Sequence, residues 1–369
     1  MIHRILLLNY QASLKKQELV GVVVERMKRR RNDEDAAADV KEEKDEVARW
    51  LRMNSGAWIP TVQFGVYRLK GEACTRAVNE AVRAGYLGVD SASIYANENE
   101  VGACISAKTF VQTKLWRSHQ GSEREVKRAL RNSLKKLNTD AIDLWLMHWP
   151  GPGRHLNYPP VRRASNGKWQ SAERVVIADN ESVMVPKDWD RQMRLETWRH
   201  MSACCGDAAS GKGTKAIGVC NFSARQLREL VAFCRSEGLP LPAVCQNECH
   251  PLLPAEEVRQ LCAREGIVFQ AYSSLGSSPD SGLLENAVVK TIAKEHGKSA
   301  AQVLIRWALQ NGCAVLPKSA STTRIQENID VFDFALSDKS MQKLDALSQQ
   351  QQGQNTMFAW HREHDPDFY

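Results

Sequence analysis

Several familiar signatures are missing from this 369-residue chain, and each absence removes a class of protein. No apolar run approaches the roughly 20 residues that a membrane-crossing helix needs, and the stretch Ile5–Leu8 is far too short. No G-x-G-x-x-G opens a helix after the first candidate strand, which removes the main support for a doubly wound dinucleotide-binding sheet. None of the ten cysteines forms the Cys-x-x-Cys sets of a zinc site. Cys245, Cys249 and His250 lie close together but lack a fourth ligand nearby, so they read as small buried thiols and no metal is expected. No secretory leader is evident, and with these thiols that sets the expectation of a reducing cytoplasm. The net charge is only +7, which reads as a solvated surface rather than a nucleic-acid groove.

What is present is the composition of a globular protein, with 43% hydrophobic residues, enough for one large barrel or two ordinary domains. Residues 1–48 stand apart. Lys28-Arg29-Arg30-Arg31 is followed by an acidic segment from Asp33 to Glu46. Like-charge blocks of this kind stay solvated, so the segment reads as a loosely ordered extension. A basic amphipathic helix over residues 14–31, or recognition by nuclear import, are the alternatives.

From residue 49 to 348, short apolar runs alternate with amphipathic stretches. Candidate strands are Thr61–Val66, Tyr86–Asp90, Thr109–Lys114, Ile142–Trp149, Lys215–Cys220, Ala243–Asn247, Ile267–Tyr272 and Ala314–Pro317. Candidate helices include Glu72–Ala84, Glu123–Leu137, Ala224–Glu237, Glu256–Glu265 and Ala300–Asn311. Eight strands with helices between them predict an α/β chain, a (β/α)8 TIM barrel. Asn54-Ser55-Gly56 ahead of the first strand predicts a tight hairpin that plugs the barrel floor.

Chemistry in such barrels sits where the strands end, at the C-terminal face. The second candidate strand ends in Asp90, the third in Lys114, and the fourth carries His148 near its end, while Tyr95 follows Asp90 by five residues. Each alone is an ordinary cap or packing residue; together they are four polar groups from neighbouring strands converging on one mouth. A tyrosine, with a pKa of about 10, is a poor acid at neutral pH. A neighbouring ammonium such as Lys114 is expected to lower that pKa. Asp90 would hold Lys114 charged, and His148 would donate to a carbonyl oxygen.

The stretch Gly85-Tyr86-Leu87-Gly88-Val89-Asp90-Ser91-Ala92-Ser93-Ile94-Tyr95-Ala96-Asn97-Glu98 resembles the glycine-to-tyrosine signature of the aldo-keto reductase family. Thr113-Lys114-Leu115-Trp116, Leu146-Met147-His148-Trp149-Pro150, Ile217-Gly218-Val219-Cys220-Asn221-Phe222 and Leu316-Pro317-Lys318-Ser319 resemble four further signatures in the same order. The resemblance spans about residues 50 to 348. It implies a catalytic tetrad of Asp90, Tyr95, Lys114 and His148, and reduction of an aldehyde or ketone with NADPH. It also implies a monomer acting on a small carbonyl substrate.

The resemblance further implies that Cys220, Asn221 and Gln246 hold the nicotinamide carboxamide and that Tyr272 stacks on its ring. Cys220 stands where serine is usual, and a thiol is the weaker hydrogen-bonding group. Ser273, Leu275 and Ser277 fall in the loop over the pyrophosphate. Lys318, Ser319 and Arg324 match the residues on the 2′-phosphate, where charge-assisted bonds favour NADPH over NADH. Glu327 and Asn328 match those near the adenine. Tyr67, Trp116 and Trp149, with His148, match the substrate pocket.

The chain departs from the pattern in two places that matter. After Glu100-Val101-Gly102 only six residues lead to Thr109, so a shortened helix 2 and a strained or altered connection are expected. The alternatives to an active reductase are an NADPH-binding barrel with little catalysis, serving as a redox-sensing or regulatory subunit, and a variant left inactive by the shortened segment before Lys114. Residues 151–194 form a long insertion after strand 4, on the active-site face, with a hairpin expected over Arg174–Pro186. The tail, residues 349–369, contains Met357-Phe358-Ala359-Trp360, apolar residues placed to reach a substrate pocket.

Overall fold

The structure, a computed structural model, describes residues 48–152, 172–176, 182–186, 189–205, 213–276 and 281–351. The chain separates into two units, Met1–Glu46 and Val47–Tyr369. The charged extension, much of the insertion, Ser277 and the tail residues Met357–Trp360 lie outside the described residues.

Eight strands form one sheet: β1 Phe64–Gly65, β2 Gly88–Asp90, β3 Phe110–Leu115, β4 Leu144–Met147, β5 Ile217–Cys220, β6 Val244–Glu248, β7 Val268–Tyr272 and β8 Ala314–Val315. They lie side by side in chain order and every pairing is parallel. The two edges meet. Val315 N donates to Thr61 O at 2.7 Å, Gln63 N to Val315 O at 3.0 Å, and Gly65 N to Pro317 O at 3.1 Å. The sheet therefore closes on itself, and the fold is the expected TIM barrel.

The helices are α1 Gly71–Arg83, α2 Glu98–Gly102, α3 Glu123–Leu137, α4 Trp189–Ser202, α5 Ala224–Glu237, α6 Glu256–Glu265, α7 Ala287–His296, α8 Ala300–Gln310, α9 Thr322–Ile329 and α10 Asp338–Asp345. Serines cap several of them; Ser223 with Gln226 and Ser299 with Gln302 form reciprocal capping boxes at α5 and α8.

Alternation along each strand sorts the side chains into two sets. Val89, Val111, Trp145, Val219, Cys245, Phe269 and Val315 join the large core between sheet and helices. Phe110, Leu144, Leu146, Cys220, Val244, Val268 and Ala314 form a second cluster. By the same period of two, Asp90, Lys114, His148, Gln246 and Tyr272 share the interior face.

The floor is plugged as the Asn54-Ser55-Gly56 turn predicts. Trp50–Arg52 pairs antiparallel with Trp58–Pro60, Arg52 opposite Trp58. Gly56 takes φ 85°, a left-handed conformation that glycine adopts without strain. Met53 and Ile59 from this hairpin pack into the second cluster with Leu144, Leu146 and Val244.

Helix α2 is short, at five residues, as expected. Of the strained or altered connection expected here, the altered one is found: between Asn97 and Thr109 no residue has a positive φ and no peptide is cis. Gly102 makes the short route possible, because a Cβ there would meet the Leu137 and Lys136 backbone at 2.7 Å. The end of α2 thus rests directly on the end of α3. Thr113 Oγ1 donates to Glu98 Oε1 at 2.8 Å, tying α2 to β3.

Within the insertion, Ala172–Val176 pairs antiparallel with Ser182–Pro186, with Val175 opposite Val183. Helix α4 begins at Trp189, so the last residues of the stretch read as inserted are helical. Arg194, buried on α4, donates to Pro150 O at 2.7 Å and to Glu229 Oε2 at 2.9 Å. That bond joins the two ends of the insertion.

Candidate active site

The register of the strands places the site. Asp90 lies opposite Gln112, and two residues further along β3 Lys114 lies opposite Leu146 of β4. Lys114 is wholly buried, which only pairing makes tolerable. Its Nζ donates to Asp90 Oδ1 at 2.5 Å and to Ser91 O at 2.8 Å. Gln112 Nε2 at 2.6 Å and Gln246 Nε2 at 3.2 Å donate to the same carboxylate oxygen.

Tyr95 ends a single 3-10 turn, Ser93–Tyr95, and Ala96 leaves it in the left-handed conformation at φ 54°. Two anchors hold this loop. Ser93 Oγ donates to Lys114 O at 3.0 Å. Asn97 Nδ2 donates to Val66 O and Leu69 O, both at 2.9 Å, while its Oδ1 accepts from Ser91 Oγ at 2.8 Å. The Lys114 ammonium lies 5.2 Å from the Tyr95 ring centroid. The shortened connection therefore delivers Lys114 beside both Asp90 and Tyr95.

His148 follows β4 directly and its ring meets Tyr95 edge-on, centroids 5.7 Å apart. Trp116 packs on the other side at 5.2 Å, and Tyr67 lies 5.0 Å from Tyr95. Tyr67, Tyr95, His148 and Trp116 thus form one continuous row of rings. Trp149 is buried, with the Arg117 guanidinium 5.4 Å from its ring centroid.

Electrostatics at the mouth differ from expectation in one respect. The Tyr95 phenol is pushed well above its ordinary value of 10.0, first by burial and then by the charge of Asp90. The net lowering expected from Lys114 does not occur: burial and the Asp90 carboxylate, which holds the ammonium at 2.5 Å, carry the shift upward. His148 is held well below 6.5, first by burial and then by Lys114 and Arg117. Both groups are therefore neutral at pH 7, one a phenol and the other an imidazole.

The remaining predicted residues lie along the same C-terminal face. Tyr272 donates from its hydroxyl to Asn221 Oδ1 at 2.7 Å, and Asn221 Nδ2 donates to His148 O at 2.9 Å and to Cys220 Sγ at 3.3 Å. Cys220 Sγ donates to Gln246 Oε1 at 3.5 Å, and burial pushes its thiol up, so it remains protonated. Asn221 and Ser273, the residues after β5 and β7, both hold left-handed backbone at φ 63° and 56°. For non-glycine residues that conformation costs about 1–3 kcal/mol each and clusters at functional sites. Leu275 is half-buried in the following turn. Lys318 and Arg324 are exposed beyond β8 and on the first turn of α9, Ser319 and Asn328 are buried nearby, and Glu327 is half-buried.

Two residues of this interior escaped the sequence reading: Gln112 and Gln270, both wholly buried. The signal was present, since Gln112 shares its strand face with Lys114 and Gln270 with Tyr272. A glutamine two residues before a site residue, inside an apolar strand, points into the barrel.

The chain matches the model of the aldo/keto reductase family over residues 61–349, and it belongs to that family. It is 37% identical to an aldehyde reductase of Saccharomyces cerevisiae over 288 residues, 76% of this chain and 86% of that one. It is 37% identical over 297 residues to a glycerol 2-dehydrogenase (NADP(+)) of the same yeast, covering 78% of this chain and 88% of that one. Among solved structures, an aldo/keto reductase from Brucella melitensis superposes with a TM-score of 0.65 at 34% identity, covering 82% of this chain and 98% of its own. The aldose reductase of Schistosoma japonicum gives 0.66 at 30% identity, covering 82% and 92%.

Proposed function

We propose that this chain reduces aldehydes or ketones to alcohols with NADPH, with Tyr95 as the proton donor. The observation that carries the reading is the buried Asp90–Lys114 pair set against Tyr95 and His148. A 2.5 Å ion pair 5.2 Å from the phenol ring, with His148 edge-on to that ring, is an arrangement built for a developing alkoxide.

The residues present fit the cofactor. The Gln246 amide oxygen is touched by one thiol at 3.5 Å and so retains capacity to accept. Tyr272 is pinned through its hydroxyl, which fixes the ring on which the nicotinamide would stack. Lys318 and Arg324 offer two exposed cations to a 2′-phosphate, Ser319 adds a hydroxyl, and Glu327 and Asn328 line the adenine side. NADPH supplies the hydride when bound.

Tyr95 then does the acid work. Raised above its ordinary value, the phenol is protonated at working pH and so carries the proton that the developing alkoxide takes. Lys114 steadies the phenolate left behind, and Asp90 with its amide donors holds Lys114 in place. His148, neutral, donates to the carbonyl oxygen and orients it without a competing charge. Tyr67 and Trp116 give the pocket aromatic walls, which suit a carbonyl compound with an apolar body.

The test is Tyr95→Phe. It removes one oxygen and leaves the loop anchors Ser93 and Asn97 intact. Turnover of a broad aldehyde panel is expected to fall at least about 10²-fold, while quenching of tryptophan fluorescence by NADPH is unchanged. Retained turnover would remove Tyr95 from the mechanism. Binding without turnover in the unmodified protein would replace the reductase reading with that of a cofactor-binding barrel.

A further inference from the structure

Four side chains inside the barrel form a closed hydrogen-bond set: Asp90, Gln112, Gln246 and Gln270, all buried. We infer that Gln112 and Gln270 are positioning residues that fix the direction of the Gln246 amide, so that its oxygen is the atom offered to a nicotinamide carboxamide. The inference rests on the NADPH reading above and adds two residues to it.

An amide's two ends are nearly alike in shape, so the surrounding donors and acceptors decide which way it points. The starting point is Asp90, which as a carboxylate only accepts. Gln112 must therefore turn its nitrogen to Asp90, at 2.6 Å, and its second amide proton goes to Gln270 Oε1 at 2.8 Å. Gln270 returns the contact, donating from Nε2 to Gln112 Oε1 at 3.3 Å. With its oxygen fixed inward, Gln270 accepts from Gln246 Nε2 at 2.8 Å, while the bond from Gln246 Nε2 to Asp90 is longer, at 3.2 Å. Both amide protons of Gln246 are thereby committed to the interior. Its oxygen is left on the side of Cys220, whose thiol donates to it.

The distances rank the contacts. Asp90 alone holds Gln246 through the weaker 3.2 Å bond, whereas the 2.8 Å bond to Gln270 is the better anchor. Gln270 in turn is polarised by Gln112. A reversed Gln270 would set its own N–H groups against those of Gln112 and Gln246. The chain of orientation runs from the buried charge through two glutamines to the amide at the cofactor site.

The probe is NADP+ compared with its 3-acetylpyridine analogue, in which a methyl ketone replaces the carboxamide and has no N–H to donate. Binding is read from quenching of tryptophan fluorescence on the full chain. The unmodified protein is expected to bind the analogue about tenfold more weakly, the worth of one hydrogen bond. In Gln270→Met and in Gln112→Met the two ligands are expected to fall within about twofold of each other, since a turned Gln246 no longer reads the carboxamide. Comparing two ligands on one sample cancels any partly unfolded fraction. A discrimination that survives in both variants, or that is absent from the unmodified protein, overturns the inference. Failure of the unmodified protein to bind NADP+ at all refutes the cofactor reading instead.

Gln112→Glu supplies a second, pH-dependent readout. Burial and Asp90 raise the pKa of the introduced carboxyl. Below that pKa its O–H donates to Asp90 as the amide did; above it, two carboxylates repel. NADP+ affinity relative to the unmodified protein should rise as pH falls. A pH-independent ratio would mean that residue 112 only fills space.

Discussion

Replacing Lys114 by methionine tests whether the buried ion pair organises the mouth of the barrel. Lys114→Met keeps the stem's apolar volume and deletes the ammonium, leaving Asp90 buried at 4% exposure without its closest donor. Removing one partner of a buried pair typically costs about 3–5 kcal/mol. Here Asp90 Oδ1 keeps the amide donors of Gln112 at 2.6 Å and Gln246 at 3.2 Å, which places the expected loss near the lower end. About 3 kcal/mol corresponds to a lowering of the melting temperature by roughly 5 °C for a barrel of this size. The double variant Asp90→Asn with Lys114→Met removes the stranded charge as well, and should recover most of that loss, because well-packed neutral replacements of a buried pair are often tolerated. The assay is thermal denaturation by circular dichroism, with turnover measured in parallel. Turnover is expected to be lost in both variants, so stability and activity separate. A single variant within about 1 kcal/mol of the unmodified protein, or a double variant no more stable than the single, would refute the reasoning.

Other outcomes follow from the same geometry. His148 is depressed when folded, so the unfolded chain binds its proton first. Its contribution to stability is complete above about pH 6.5 and is lost as pH falls from there toward the depressed folded value, and His148→Gln should flatten that part of a melting-temperature profile. Tyr95 and His148 both being neutral at pH 7, the rate of carbonyl reduction should show no inflection near 6.5, and a clear one there would contradict the buried, neutral imidazole. Gly102→Ala forces a methyl group into the Leu137 backbone at 2.7 Å and should cost about 1–3 kcal/mol, measurable by urea denaturation. Replacing both Lys318 and Arg324 by alanine should weaken NADPH binding by at least about tenfold while leaving NADH nearly unaffected. Equal losses for both cofactors would argue against a 2′-phosphate site.

Much of the fold was legible because the physics involved is local. Glu123–Leu137, Ala224–Glu237 and Glu256–Glu265 are helices with the bounds that their periodicity predicts. Strands were placed to within a few residues, and overrun occurred where pairing stops. Thr61–Val66 shrinks to Phe64–Gly65 because Thr61 and Gln63 meet β8 only through Val315, at the isolated bridge of Val62 with Val315. Strand-end positions singled out Asp90, Lys114 and His148 for inspection, and the family resemblance supplied the roles expected of them and of Tyr95. Of the strained or altered connection expected after α2, the structure has the altered one, and chain length alone could not show that Gly102 lets two backbones touch.

What the sequence determined by itself was alternation, register parity and residue type: eight strand-like runs, and an aspartate, a lysine and a histidine at the ends of three of them. These follow from periods of two and 3.6, which act within a few residues. What only the tertiary structure decided was charge and direction. Tyr95 is raised rather than lowered because it is buried and faces the Asp90 carboxylate, an arrangement set by the pairing of β2 with β3. Gln246 turns its nitrogen to Asp90 and Gln270 and its oxygen to Cys220, and Gln270 is itself bonded to Gln112, 158 residues away in sequence. Electrostatics and hydrogen-bond polarity depend on distance in space, and closing the barrel is what sets those distances.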